Sequence, residues 1–311
     1  MNRLVSCILL LAVVAVWGWT FSLMKGPVET YGVVSFLAVR FVFGAAAISL
    51  AAVRRTTWRT LRVGGPIGLV LAAAYLVQTY GLRHTTATNT GLITGLFVVF
   101  APLANRLLFG VRTRPALWGA VGISVVGLGM LAGGGLNGVT LGDVVTVGAA
   151  ALFGLHIALL DRHAKHHDAV VLAQGQLTVA AAVFLLVWPF AEPVRLPPPG
   201  WRLDAVWPAL LVTGLVATAA AFLVQTYVQQ RLRAVPTAMI IVTEPLFAAL
   251  FGYLIRDDRL TGVQMAGAGL MVAALVLAEV YPLVRKPRQH GEGGRRANRP
   301  AREDGPAEGR M

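Results

Sequence analysis

Apolar runs of roughly twenty residues recur along almost the whole chain, with the polar residues gathered in short stretches between them. A helix rising 1.5 Å per residue needs about that length to cross a hydrocarbon core of about 30 Å. The runs do not alternate apolar with polar, so the period of two that marks a membrane β-barrel is missing. The pattern predicts an all-α polytopic membrane protein with ten transmembrane helices, at residues 4–23, 33–53, 64–82, 87–109, 116–133, 143–161, 170–190, 206–227, 237–255 and 262–282. Connections are short and carry Gly or Pro, as in GGGLNG after the fifth span and LPPPGW after the seventh. From residue 285 the chain turns polar, basic and rich in Gly and Pro, which predicts a disordered tail.

The runs also repeat. YLVQTY (75–80) and FLVQTY (222–227) superpose on a shift of 147 residues. A shift of 136 lays WGWTFSLMKG (17–26) on FGLHIALLDR (153–162) and Arg40 on Gln176. A shift of 143 sets VFAPLANRLLFG (99–110) on VTEPLFAALFGY (242–253), with Pro102 over Pro245. Five spans per half is an odd number, so the second half enters the membrane inverted. Inverted repeats characterise secondary transporters, with substrate sites near the midplane between the halves. The chain therefore divides into a first repeat (1–134), a second (135–284) and a basic tail (285–311).

Composition sharpens this. The 311 residues are 56% hydrophobic and 13% charged, against about a quarter charged in a soluble domain. The net charge of +13 has a topological explanation. Placing the N-terminus inside puts twenty Lys and Arg on the inner side and six on the outer, as the positive-inside rule requires. Both termini are then cytoplasmic, in a cell (inner or plasma) membrane. The lipid bilayer is the expected partner, and no nucleic acid is needed. The N-terminus imitates a signal peptide, but cleavage would remove part of the first repeat. Cys7 stands alone, so no internal disulfide forms.

Two charges sit inside spans. Arg40 lies about seven residues into the second helix, roughly 10 Å deep, where a guanidinium needs a cavity or a partner. Glu244 lies at similar depth from the other face and precedes Pro245, whose missing N–H bends the helix. Their repeat mates, Gln176 and Ala101, are neutral. A structural ion pair and a pair that handles substrate or protons are both open readings. Tyr75 and Gln78 form a polar seam with Thr79, and Gln225 forms its mate; interhelical glue is the plainer alternative. Trp17, Trp19, Thr20, Asn89, Thr90 and His156 complete the candidate cavity lining. His163 and His167 have a zinc-compatible i, i+4 spacing but no convincing third ligand. GLITG (91–95) offers a small face for close helix packing.

The phrases WGWTF with Lys25, LAVRF around Arg40, TATNTGLITGLFVVFAPL and TEPLFAALFGYLIRDDRLT, in this order across residues 3–282, resemble the EamA-type drug/metabolite transporter superfamily. The resemblance implies ten-helix carriers built of two inverted repeats, exporting amino acids, drugs or other metabolites, with amino acids the first expectation. A Gly-Glu common ahead of the family's fifth and tenth helices is replaced here by Asp258 in one copy and by no acid in the other, GVRTRP.

No GxxxxGK[ST] and no nucleophile elbow occurs in the sequence, so an ATP-driven pump or a hydrolase is not the expectation. The sequence calls for a small-molecule substrate, no cofactor, and a transporter rather than an enzyme. Proton coupling and a homodimer stay open. The alternative is a non-transporting membrane protein, either a scaffold or a lipid-handling enzyme whose buried Arg binds phosphate.

Overall fold

The computed structural model describes residues 3–52, 58–85, 87–131, 140–202, 205–256 and 261–284. The tail, the GGGLNG connection and Asp258 lie outside the described residues. Within them the chain is helical apart from short connections such as 110–114 and 192–202, with no strand. The helices are α1 (Arg3–Tyr31), α2 (Val33–Ala52), α3 (Trp58–Arg83), α4 (Ala87–Thr94), α5 (Phe97–Phe109), α6 (Pro115–Leu131) and α7 (Leu141–His163). They continue as α8 (Ala169–Ala191), α9 (Val206–Leu211), a π-helical segment (Val212–Ala220), α10 (Ala221–Gln229), α11 (Ala234–Ile241), α12 (Glu244–Arg256) and α13 (Gly262–Val284). Among the described residues seven helical stretches are long and apolar enough to cross a membrane, and three shorter apolar ones accompany them, Pro115–Leu131, Ala234–Ala248 and Gly262–Leu277.

Two spans expected as single helices, 87–109 and 237–255, are each broken. At the first break Leu96 N bonds Ile93 O and Val98 N bonds Gly95 O, tight i→i+3 closures in place of the α pattern. At the second, Thr243 N bonds Ile240 O and Leu246 N bonds Thr243 O in the same way. Pro245 has no N–H to give to Ile241 O, which is why the α ladder fails just ahead of it. The span 206–227 is also irregular, carrying the nine-residue π segment at its centre.

The two sequence halves interlock. Helix α1 packs on α12, α7 on α5, α3 on α7 and α8, α2 on α8 and the π segment, and α6 on α13. Glycines set the closest approaches. A Cβ on Gly18 would lie 2.8 Å from Ala248 N, and one on Gly154 would lie 2.8 Å from Ala101 N. Gly127 and Gly267 face each other's carbonyls the same way between α6 and α13. Large apolar side chains such as Phe190, Leu107 and Leu50 stay exposed, as befits a bundle whose surroundings are lipid.

The helix ends are tied down individually. Thr140 and Asp143 form a reciprocal capping box on α7. Asp168 Oδ1 accepts from Val170 N and Val171 N at the start of α8. Helix α2 has no acid at its own start; it begins after Gly32, whose φ is 103°. Its first amides are capped from another segment, by Glu192 beyond the end of α8.

Candidate functional site

A cavity of about 70 Å³ lies in the middle of the bundle, lined by residues from both halves, Arg40, Tyr75, Gln78, Gln225 and Glu244 among them. That is room for roughly five water molecules, or a small organic molecule in their place. Its walls are aromatic. Phe222 packs on Trp17 with ring centroids 5.6 Å apart, and Tyr75 stands edge-on to Phe153 at 5.4 Å.

Arg40 is 2% exposed. The guanidinium is held rather than free: Nε donates to Thr218 Oγ1 at 2.8 Å and Nη1 to Met24 Sδ at 3.1 Å. Its carbon sits 5.1 Å from the Tyr75 ring centroid and 5.8 Å from that of Phe41, both cation–π distances. Thr218 reaches it from the π segment, where the extra residue per turn re-aims side chains and carbonyls. Ala217 O in the same segment accepts from Trp17 Nε1 at 2.8 Å. Thr20 Oγ1 is spent on Trp17 O.

Glu244 starts α12 and lines the same cavity. Among the described residues no ion pair within 4.0 Å joins Glu244 to Arg40, whereas Lys165 pairs with Asp161 at 3.4 Å. No side-chain hydrogen bond to the Glu244 carboxylate occurs among them either. The cavity therefore presents a cation anchored through Nε and Nη1 and a carboxylate with acceptor capacity left over.

Below this cavity, toward the end where α1 begins and α13 ends, buried amides form a floor. His156 Nε2 meets Gln176 Oε1 at 2.8 Å, and Gln176 Nε2 donates to Thr226 Oγ1 at 3.0 Å. Because that amide nitrogen is the donor to Thr226, the His156 Nε2 carries the proton shared with Gln176. Gln229 Nε2 donates to Ile157 O at 2.9 Å, and Asn105 Nδ2 to Asp161 Oδ2 at 3.0 Å. Above the cavity two further spaces follow, a narrow one and then a wide one. A small cavity of about 20 Å³ shares Arg40, Tyr75 and Gln78 with the central one. It shares Val28 and Leu82 with a vestibule of about 600 Å³ lined by Glu29, Arg83, Glu192 and Arg195.

Glu192 accepts from Val33 N at 2.9 Å and from Ser35 N and Oγ at 3.0 and 2.7 Å. Burial pushes its carboxyl up, but the hydrogen bonds from Ser35, Val34 and Val33 outweigh this and hold it below the usual carboxylate range.

Of the residues expected from sequence, the central cavity brings together Trp17, Thr20, Arg40, Tyr75, Gln78, His156, Gln225 and Glu244. Gln176 stands behind the wall, fully buried and committed to His156 and Thr226. The Asn89 side chain lies outside the described residues. His167 Nδ1 is paired with His163 O at 2.9 Å, closing that turn internally. Sequence reasoning missed Thr218, Met24, Thr94, Phe97 and Phe153. Thr218 lay just ahead of FLVQTY without a charge to single it out, whereas Phe153 opens the quoted FGLHIALLDR and is the mate of Trp17 on the shift of 136, a signal that could have found it.

The EamA-like transporter family matches residues 4–133 and again 140–279. An uncharacterized transporter of Archaeoglobus fulgidus is 30% identical over 281 residues, covering 90% of this chain and 87% of its own. An uncharacterized transporter of Bacillus subtilis, YoaV, is 22% identical over 86% of this chain and 94% of its own. A solved structure titled only "Crystal structure of protein" superposes with a TM-score of 0.74 at 18% identity, over 90% of this chain and 98% of that one, a likeness of fold.

Proposed function

The chain belongs to the EamA-like transporter family and is a multi-pass membrane transporter; from that premise we propose that it exports a small amphipathic metabolite by alternating access. The observation that carries the reading is a guanidinium and an unpaired carboxylate sharing one aromatic cavity without touching each other. Desolvating two opposite charges in a membrane interior and then leaving them apart is costly, so the separation argues for a guest between them.

The guest's chemistry follows from which groups remain free. Arg40 keeps its place through Thr218 and Met24 and supplies a positive field for an acidic or electron-rich group. Glu244 has acceptor capacity to spare and suits a protonated amine. Trp17, Phe97, Phe153 and Phe222 give the apolar body a wall to lie on. An amino acid combines those three features, and the family resemblance points to the same class and to export. The succession of cavities that share lining residues from the centre to the vestibule supports an access route on one side, and the amide floor supports closure on the other. With the termini cytoplasmic, the vestibule faces outward. Glu244 also suits a coupled proton, taken up when the amine leaves.

Comparative metabolite profiling tests this. Medium from cells expressing the wild type should be enriched in one or a few amino compounds over vector controls. Arg40→Gln and Glu244→Gln, expressed and folded to wild-type levels, should each abolish that enrichment. Enrichment unchanged in both variants would refute the assignment.

A further inference from the structure

The shift of 147 residues that superposes the LVQTY phrases pairs Gln78 with Gln225, and the shift of 143 that superposes Pro102 and Pro245 pairs Thr94 with Thr237. In the first half those two positions bond each other: Gln78 Nε2 donates to Thr94 Oγ1 at 3.1 Å, tying α3 to α4. In the second half both are orphaned. Gln225 Oε1 and Thr237 Oγ1 are two of three buried side-chain polar atoms without a hydrogen-bond partner among the described residues; the third is Trp188 Nε1. Gln225 is 2% exposed and Thr237 wholly buried, so neither meets bulk water; Gln225 faces the central cavity, while Thr237 lines no cavity described above. The amide nitrogen of Gln225 makes only a long bond of 3.4 Å, to Gln229 Oε1.

A buried hydroxyl and amide left unpaired cost free energy that a Val or Leu would avoid. Two such orphans at the mates of a formed bond point to a partner met in another arrangement. The formed bond lies on the vestibule side, where Gln78 lines both the central cavity and the small one above it. The orphaned pair lies toward the opposite end, where the amide floor closes it. We infer that the two pairs are exchangeable latches: Gln78–Thr94 holds the vestibule-open conformation, and Gln225–Thr237 forms in the opposite one as Gln78–Thr94 parts. Opening either side then draws the third and fourth spans of one half together and releases their counterparts in the other. The inference rests on the alternating-access reading and adds the residues that set its equilibrium.

The test uses one cysteine, Ile157→Cys in the cavity wall, with Cys7→Ala removing the native thiol. A membrane-impermeant maleimide is added from the vestibule face or from the termini face of sealed vesicles. The ratio of the two labelling rates reports the ratio of the two conformations. Thr94→Val should shift that ratio roughly threefold toward the termini face, the population change one interhelical bond in a membrane commands. Thr237→Val should shift it roughly threefold the other way, and the double variant should return it to the parent value. General loosening cannot move two near-isosteric variants in opposite directions. Ratios that move together, or a Thr237→Val ratio equal to the parent, overturn the exchange. The latter result would mean Gln225 and Thr237 serve something else, a bound substrate included. Labelling confined to one face in every variant would sink the carrier reading itself.

Discussion

Glu192 does for α2 what Asp168 does for α8, but from a distant part of the chain. Asp168 caps its own helix through Val170 N and Val171 N. The matching position in the first half is Gly32, whose left-handed φ and missing side chain leave the space that the Glu192 carboxylate fills. Removing the cap with Glu192→Ala should cost about 1 kcal/mol, read as a lower melting temperature in detergent. The pH dependence has a definite sign. The folded carboxyl titrates below its ordinary value of 4.5, so its contribution is present at neutral pH and lost as pH falls through the folded value. Melting temperature should therefore fall more steeply below that ordinary value in the wild type than in the Ala variant; parallel profiles would contradict the cap. Gly32→Ala should be at least as damaging, because a Cβ meets both a strained φ and the carboxylate. None of this was legible in the sequence. Arg40 and Glu244 stood out as charges in oil, whereas Glu192 lay among loop residues where charge is unremarkable. The glycine that receives it carried no mark except being unlike Asp168.

Among the elements, the repeat supplies matched glycines at matched contacts. Gly18 lies against Glu244, Phe247 and Ala248, and Gly154, 136 residues on, lies against Phe100 and Ala101. Both set the first helix of one half on the broken fourth span of the other. Gly18→Ala and Gly154→Ala should each cost about 1–3 kcal/mol through overpacking against backbone that cannot retreat. Gly119→Ala and Gly122→Ala, which have open space, should be close to neutral or slightly stabilising. A thermal-melt series in one detergent checks both groups, and equal shifts across them would discredit the packing account. The apolar periodicity located these helices because burial in lipid is written into composition. The breaks at Leu96 and at Val242–Thr243 were harder to read. Pro245 announced a bend, but its position depends on which carbonyls can close i→i+3 bonds, and no residue type declares that; the break at Leu96 lies ahead of Pro102, which sits inside α5. The π segment had no local signature at all; Arg40 bonding Thr218 and Trp17 bonding Ala217 O are contacts across the bundle.

At the scale of the whole molecule, the two halves are not two separate bodies. Helix α7 of the second half packs on α3 and α5 of the first, and α1 of the first packs on α12 and α10 of the second. The cavity charges follow the same exchange, with Arg40 from the first half held by Thr218 from the second. Any motion that alternates access must carry α1 with the broken span it packs on, so the moving groups cut across the sequence repeat. Interlocking also fixes what each half can do alone. A fragment of residues 1–134 leaves α2 and α3 without α8, and so exposes Arg40 and the Gly64–Gly68 face to lipid without their partners. Expressed singly, residues 1–134 and 135–311 should each be degraded or aggregate. Expressed together in one membrane they should copurify and restore transport, because the interface buries complementary grooves rather than a covalent link. A single half that stays monodisperse and melts cooperatively on its own would show that the crossing helices are dispensable. The shared cavity, which needs Arg40 and Glu244 from opposite halves, would then lose its claim to be the reason the two are joined.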